Sequence, residues 1–251
     1  MEVHHHPHVE KKGFKEYFLE FLMIFLAVTL GFFAEGLREN MNDHTKEKEF
    51  MRSMVQDLGD DTATIAKTID RYTHIYKEAD TILMCLKSDP QDASVINRLL
   101  SHNFWLYTGY SYNNRTMQQL KNAGNFRLIK NKAVADSILY YDNLINSFVL
   151  NQYNDLKSTL LSYKDAEARV IPYKELSQPP GYYLLQQFDP ADFTSTNTHT
   201  FISNNKELLS LYYNRVFIHE ALCHTFIASL QSAKQYADRL LKLIQKDYHL
   251  N

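Results

Sequence analysis

Met51, Val55, Leu58, Thr62, Ile65, Ile69, Tyr72, Tyr76, Ala79, Leu83 and Leu86 follow one another in alternating steps of four and three. A 3.5-residue period held this long is helical, and its stripe needs an apolar partner. The alternation returns in Leu209, Tyr212, Val216, His219, Cys223, Phe226, Leu230, Ala233, Ala237, Leu240 and Ile244. A third stripe runs through Val134, Ile138, Tyr141, Ile145, Val149, Tyr153, Leu156, Leu160 and Tyr163. The stripes predict long helices over about 42–87, 132–171 and 205–248. Ser88-Asp89-Pro90 stops the first, Asn131 caps the start of the second, and Pro172 closes it. Shorter helices are expected at about 93–104 and 114–123, with Gly124 as a C-cap. Residues 174–203 carry Pro179, Pro180, Gly181 and Pro190 and read as a long irregular connection.

Composition supports few, long helices. The 251 residues include only 7 Gly and 6 Pro, about 5% together against an average near 12%. A many-stranded sandwich or barrel needs more turns than that. The predicted fold class is all-α: an N-terminal transmembrane helix followed by a bundle of long, coiled-coil-like helices. A dimer that shares helices would satisfy the same stripes. Neither GxGxxG nor GxxxxGK[ST] occurs, so no phosphate-cradling loop is expected. With a net charge of -2 the chain lacks the basic surplus of a nucleic-acid binder.

Residues 17–34, YFLEFLMIFLAVTLGFFA, do not fit a water-soluble surface. Phe21 to Ala34 is uncharged for 14 residues, about 21 Å of helix against a hydrocarbon core of roughly 30 Å. Adding Tyr17, Phe18 and Leu19 lengthens the span and places Glu20 near one end, where a carboxylate can reach headgroups. The segment at 15–35 is read as a signal-anchor behind a short His- and Lys-containing tail at 1–14, with a bundle domain at 36–251. Three alternatives stand beside it. An in-plane amphipathic helix would need a polar face, which residues 21–34 lack. A soluble protein would bury residues 17–34 in its core. A cleaved signal peptide would need small residues where Phe32-Phe33-Ala34 stands. Lys11, Lys12 and Lys15 precede the span and Arg38, Lys46 and Lys48 follow it, so the basic flanks are tied. The short tail ahead of a large domain favours a single pass with the N-terminus inside and the bundle outside. Residues 1–35 hold three of the 27 basic and five of the 29 acidic residues, which leaves the rest at 24 of each.

The stretch TMQQLKNAGNFRLIKNKAVADSILYY at 116–141 and the start KEYFLEFLMIFLAVTLGFFAEGLRE resemble an uncharacterised family of single-span bacterial membrane proteins. The resemblance implies a bacterial inner-membrane protein with a helical domain of unknown function. It assigns no activity, cofactor or site residue.

Candidate sites are few. His219-Glu220-Ala221-Leu222-Cys223-His224 puts His219 and Cys223 one turn apart on a helix face, a usable metal-ligand spacing, with Glu220 beside them. A metal- or small-molecule-binding enzyme would use these three. The competing reading is a core histidine and a small buried thiol, because both sit on the stripe. His224 is five residues from His219, about 140° around the helix, so HExxH is not met. No Glu-x-x-His pair and no GxSxG occurs. Glu20 is a membrane-embedded candidate or an interfacial charge. Phe104, Trp105, Tyr107, Tyr110 and Tyr112 form an aromatic run that reads either as an interaction surface or as a cap over one bundle end. Cys85 and Cys223 sit too far apart along their helices to pair. The expected partners are therefore the membrane through 15–35 and either another protein or a second copy; no cofactor and no nucleic acid is expected. A non-enzymatic sensor-like or scaffold module is the reading that joins these features.

Overall fold

The computed structural model describes residues 13–88, 93–103, 109–122, 124–173 and 200–250. The histidines of the tail, Trp105 and Tyr107, and the connection at 174–199 lie outside these residues. Every element among the described residues is helical: α1 (Phe14–Ser88), α2 (Ser94–Asn103), α3 (Arg115–Asn122), α4 (Lys132–Leu144), α5 (Leu150–Ala168) and α6 (Lys206–Tyr248). A short 3-10 turn lies at Asn125–Leu128 and a π-turn at Ile145–Val149. The chain divides into two compact units, 1–50 and 51–251.

In the first unit the described residues form the opening stretch of α1. Glu16 caps its start, accepting a hydrogen bond from the Gly13 backbone at 2.9 Å. Among the described residues this is the one helix long and apolar enough to cross a membrane, and none of its 18-residue apolar window is buried. Phe25, Leu30 and Phe32 are 54%, 63% and 76% exposed. A soluble protein that held this segment in its core would bury it. Beyond the apolar stretch Arg38 pairs with Glu35 on the exposed helix surface.

The second unit is a helical bundle. On α6 every stripe residue from Tyr212 to Ile244 is buried. Burying Val216, Phe226, Leu230, Leu240 and Ile244 is worth about 10 kcal/mol before entropy is counted, of the order of a whole domain's net stability. Phe226 is the aromatic centre: Tyr72 of α1 meets it edge-on at 4.9 Å and Tyr110 at 5.9 Å. Ala79, Ile82 and Leu86 of α1 join Ile96 and Leu100 of α2, Val170 and Phe201 in a second apolar cluster.

The register of α1 differs from the expected stripe at alternate positions. Met51, Leu58, Ile65, Tyr72, Ala79 and Leu86 are buried, and so are Met54, Asp61, Thr68, Ile75 and Ile82. Val55, Thr62, Ile69 and Tyr76, which the apolar pattern selects, are only half-buried. The seam that faces the bundle thus runs one residue earlier at these four positions, while at the last of the series both Ile82 and the expected Leu83 are buried. Apolarity does not mark this seam, because Asp61 and Thr68 are polar. Both are satisfied: Thr68 donates to the Thr64 carbonyl at 2.8 Å, and Asp61 is bonded as described below.

α4 and α5 are joined by the π-turn at Ile145–Val149. The stripe steps through Tyr141, Ile145, Val149 and Tyr153 in three consecutive fours. That is four residues per turn, against 3.6 for an α-helix, a surplus of about one residue over three turns. A π-turn absorbs one residue and returns Leu156 and Tyr163 to the core side, both buried. Asn131 caps α4, accepting from the backbones of Ala133 and Val134, and its amide bonds Asp247 of α6. Asn205 caps α6 through Glu207. Gly124 has φ +63°, the left-handed turn after α3.

Candidate functional site

Among the described residues, three polar assemblies within the core bear on function. The first contains the residues singled out in the sequence. His219 of α6 is 1% exposed, its ring stacked on Tyr163 of α5 with centroids 5.0 Å apart and planes 3° from parallel. Cys223 Sγ lies 3.7 Å from His219 Nε2, within hydrogen-bonding reach for sulfur. Burial, then the nearby Lys164 charge, brings His219 down to about 4, so it is neutral at physiological pH. Burial, then Glu220, pushes the Cys223 thiol up to about 12. A neutral, fully buried thiol is neither a nucleophile nor a ready metal ligand. Glu220 is engaged by the Tyr76 hydroxyl, and His224 faces Tyr76 at 5.9 Å between rings. Among the described residues no group of three or more His, Cys, Asp or Glu side chains is placed to hold a metal. Neither cysteine is in a disulfide.

The second assembly lies beside the first and was not foreseen. Glu167 of α5 is fully buried. Its Oε1 accepts from Lys164 Nζ at 2.8 Å and from the Tyr173 hydroxyl. A cavity of about 30 Å³ opens between α1, α2, α5 and α6, lined by Glu78, Tyr163, Lys164 and His219 among aliphatic groups. Burial pushes Glu78 up to about 7. A space of this size admits a water or two, not an organic substrate.

The third assembly joins α1, the segment at 109–114, α3 and α4. Asp57 of α1 accepts from the Thr116 backbone at 2.9 Å and from Arg115 Nη2 at 3.0 Å. Asp61, one turn on, accepts from the Asn113 backbone at 2.6 Å and from the Tyr141 hydroxyl at 2.9 Å. Tyr112 donates to Asp142 at 2.9 Å and accepts from Asn146, which also donates to the Asp142 carbonyl. Lys121 Nζ closes the set on the Asp142 carboxylate at 2.5 Å. Asn146 sits in the π-turn, so its amide occupies a carbonyl at the point where the helix widens. A signal for this cluster existed in the sequence: Asp57 and Asp61 flank the apolar stripe at a four-residue spacing, and the alternative α1 register passes through Asp61.

Of the aromatic run, Tyr110 lies in the core, 7% exposed and packed on Tyr153 and Phe226. Tyr112 is half-buried with its hydroxyl tied as above. Trp105 and Tyr107 are outside the described residues. Glu20 lies in the second turn of α1, within the apolar stretch. The chain matches no protein-family model, no curated protein and no solved structure.

Proposed function

We propose that this chain is a membrane-anchored helical-bundle protein that acts through protein contacts, as a sensor-like or scaffold module rather than as an enzyme. The anchor is residues 15–35, in the inner membrane of a bacterium, with the N-terminus inside and the bundle outside. It belongs, on this reading, to the family of single-span proteins that its anchor and residues 116–141 resemble. The observation that carries the proposal is the apolar opening of α1, whose 18-residue window is unburied throughout. Glu20 is the one charged residue in 17–34, and an exposed helix surface that apolar is stable in hydrocarbon and not in water. Further support comes from the polar groups of the bundle. The neutral His219, the protonated Cys223 thiol and the paired carboxylates are committed to internal bonds, and the cavity beside them is too small for a substrate.

A module of this kind acts by binding a partner or a second copy. Affinity isolation of the full chain from detergent-solubilised membranes, with its mass measured by light scattering, tests this. A reproducible stoichiometric partner or a defined homo-oligomer is the expected result. A monodisperse monomer that recovers nothing would contradict the proposal.

A further inference from the structure

Asp57 and Asp61 are 4% and 2% exposed, and through four hydrogen bonds they fasten the start of α3 and the segment before it to α1 and α4. Their partners stand 52 to 80 residues away in the chain. These bonds therefore close long-range contacts and are not local caps. We propose that the pair is a proton-sensitive clasp: neutral Asp61 holds residues 109–122 firmly on α1 and α4, and ionisation of Asp61 loosens that hold. The inference stands apart from the proposed membrane function and needs nothing outside the bundle.

The geometry gives the neutral form an advantage. Asp61 shares its turn of α1 with two further carboxyls, Asp57 and Asp60. Among the described residues the cation paired with this group is Arg115, bonded to Asp57 and 4.0 Å from Asp60. From the 109–114 segment Asp61 is faced by Tyr110, and from α4 by Tyr141, both uncharged phenols. Asp142, also on α4, is already matched by Lys121. A charge on Asp61 is thus buried and flanked by like charge, with no cation paired to it among the described residues. As a neutral acid it keeps both contacts: one oxygen still accepts from the Asn113 backbone, and its hydroxyl can donate to Tyr141 while the phenol reverses. Burial, opposed by those two hydrogen bonds and aided by Asp57 and Asp60, raises Asp61 from 3.8 to about 6.

The direction of the pH response follows. A carboxyl raised by folding contributes its full stabilisation below its unfolded value, and this is lost as pH rises toward the folded value. Between pH 5 and pH 7.5 about a tenfold loss in the folding equilibrium remains to be expressed.

The test uses the full chain in detergent micelles and the Asp61→Asn variant, whose amide mimics the neutral acid. The gain in Tm of the variant over the unaltered chain should be about 3–6 °C larger at pH 7.5 than at pH 5. Backbone amides of Asn113 and Thr116, corrected for intrinsic exchange, should be protected about tenfold better at pH 5 than at pH 7.5, and equally at both in the variant. A Tm difference that is the same at both pH values, or protection that does not change with pH, would overturn the proposal. Should Asp61→Asn not fold, Tyr141→Phe removes a bond that favours the charged form. It should move the midpoint of the protection profile to higher pH, and an unmoved midpoint would overturn the clasp equally.

Discussion

His219 shows how the bundle treats a titratable side chain it does not expose. The ring is neutral because burial leaves no room for its charge, and it is held between Tyr163 and Cys223. Its pKa is depressed by folding, so the unfolded chain takes up the proton first. The contribution of His219 is complete above about pH 6.5 and is lost as pH falls toward 4, on the order of 3 kcal/mol over the window. This runs opposite to the Asp61 response. His219→Ala should lower stability by about 2–4 kcal/mol at pH 7.5 through the cavity it leaves, and should flatten the acid limb of a Tm-against-pH curve. Cys223 should resist iodoacetamide in the native protein and react only on unfolding, with half-buried Cys85 labelled first. Peptide mass mapping after timed labelling reads the order. The position of His219 and Cys223 on one helix face was legible in the sequence, since both fell on the stripe. Their chemistry was not, because a neutral imidazole on a tyrosine ring depends on Tyr163, more than fifty residues away. Glu167 and the Asp57–Asp61 pair escaped notice for the same reason. Their partners are assembled by folding, so the four-residue spacing of Asp57 and Asp61 beside the stripe marks the pair without marking what it binds.

At the scale of single elements the apolar period located the helices but misjudged one face. The six buried positions of α1 from Met51 to Leu86 at seven-residue intervals emerge from either reading. Between them, apolarity favoured Val55, Thr62, Ile69 and Tyr76, whereas packing buries Met54, Asp61, Thr68 and Ile75. A rule that equates buried with apolar fails where a core position is filled by a satisfied polar group. The correction is measurable: Ile75→Ala should lose about 2–4 kcal/mol in chemical denaturation and Ile69→Ala about 1 kcal/mol or less. The π-turn is a second case. Three consecutive steps of four were in the sequence, and they state that one residue too many lies between Tyr141 and Tyr153. Deleting Ser147 should convert the turn to regular α-helix and leave a cooperative unfolding transition by circular dichroism. Deleting Ser158 should rotate the remaining stripe of α5 by about 100° out of the core and abolish that transition.

Across the whole molecule, two chemically different surfaces belong to one chain. The described residues of 51–251 bury most of their apolar stripes, whereas the apolar window at the start of α1 buries nothing. The scarcity of Gly and Pro is consistent with both, since α1 continues unbroken from Phe14 to Ser88. The proposed anchor accounts for the exposed apolar helix, and because the basic flanks are balanced the proposed orientation needs its own test. The most direct test is membrane fractionation of the full chain with protease added from outside to intact spheroplasts. The account predicts that the chain stays with the membranes through an alkaline wash, leaves them only in detergent, and loses its bundle to the protease while a cytoplasmic marker survives. A chain that stays in the supernatant without detergent, or a bundle digested only after lysis, would contradict it.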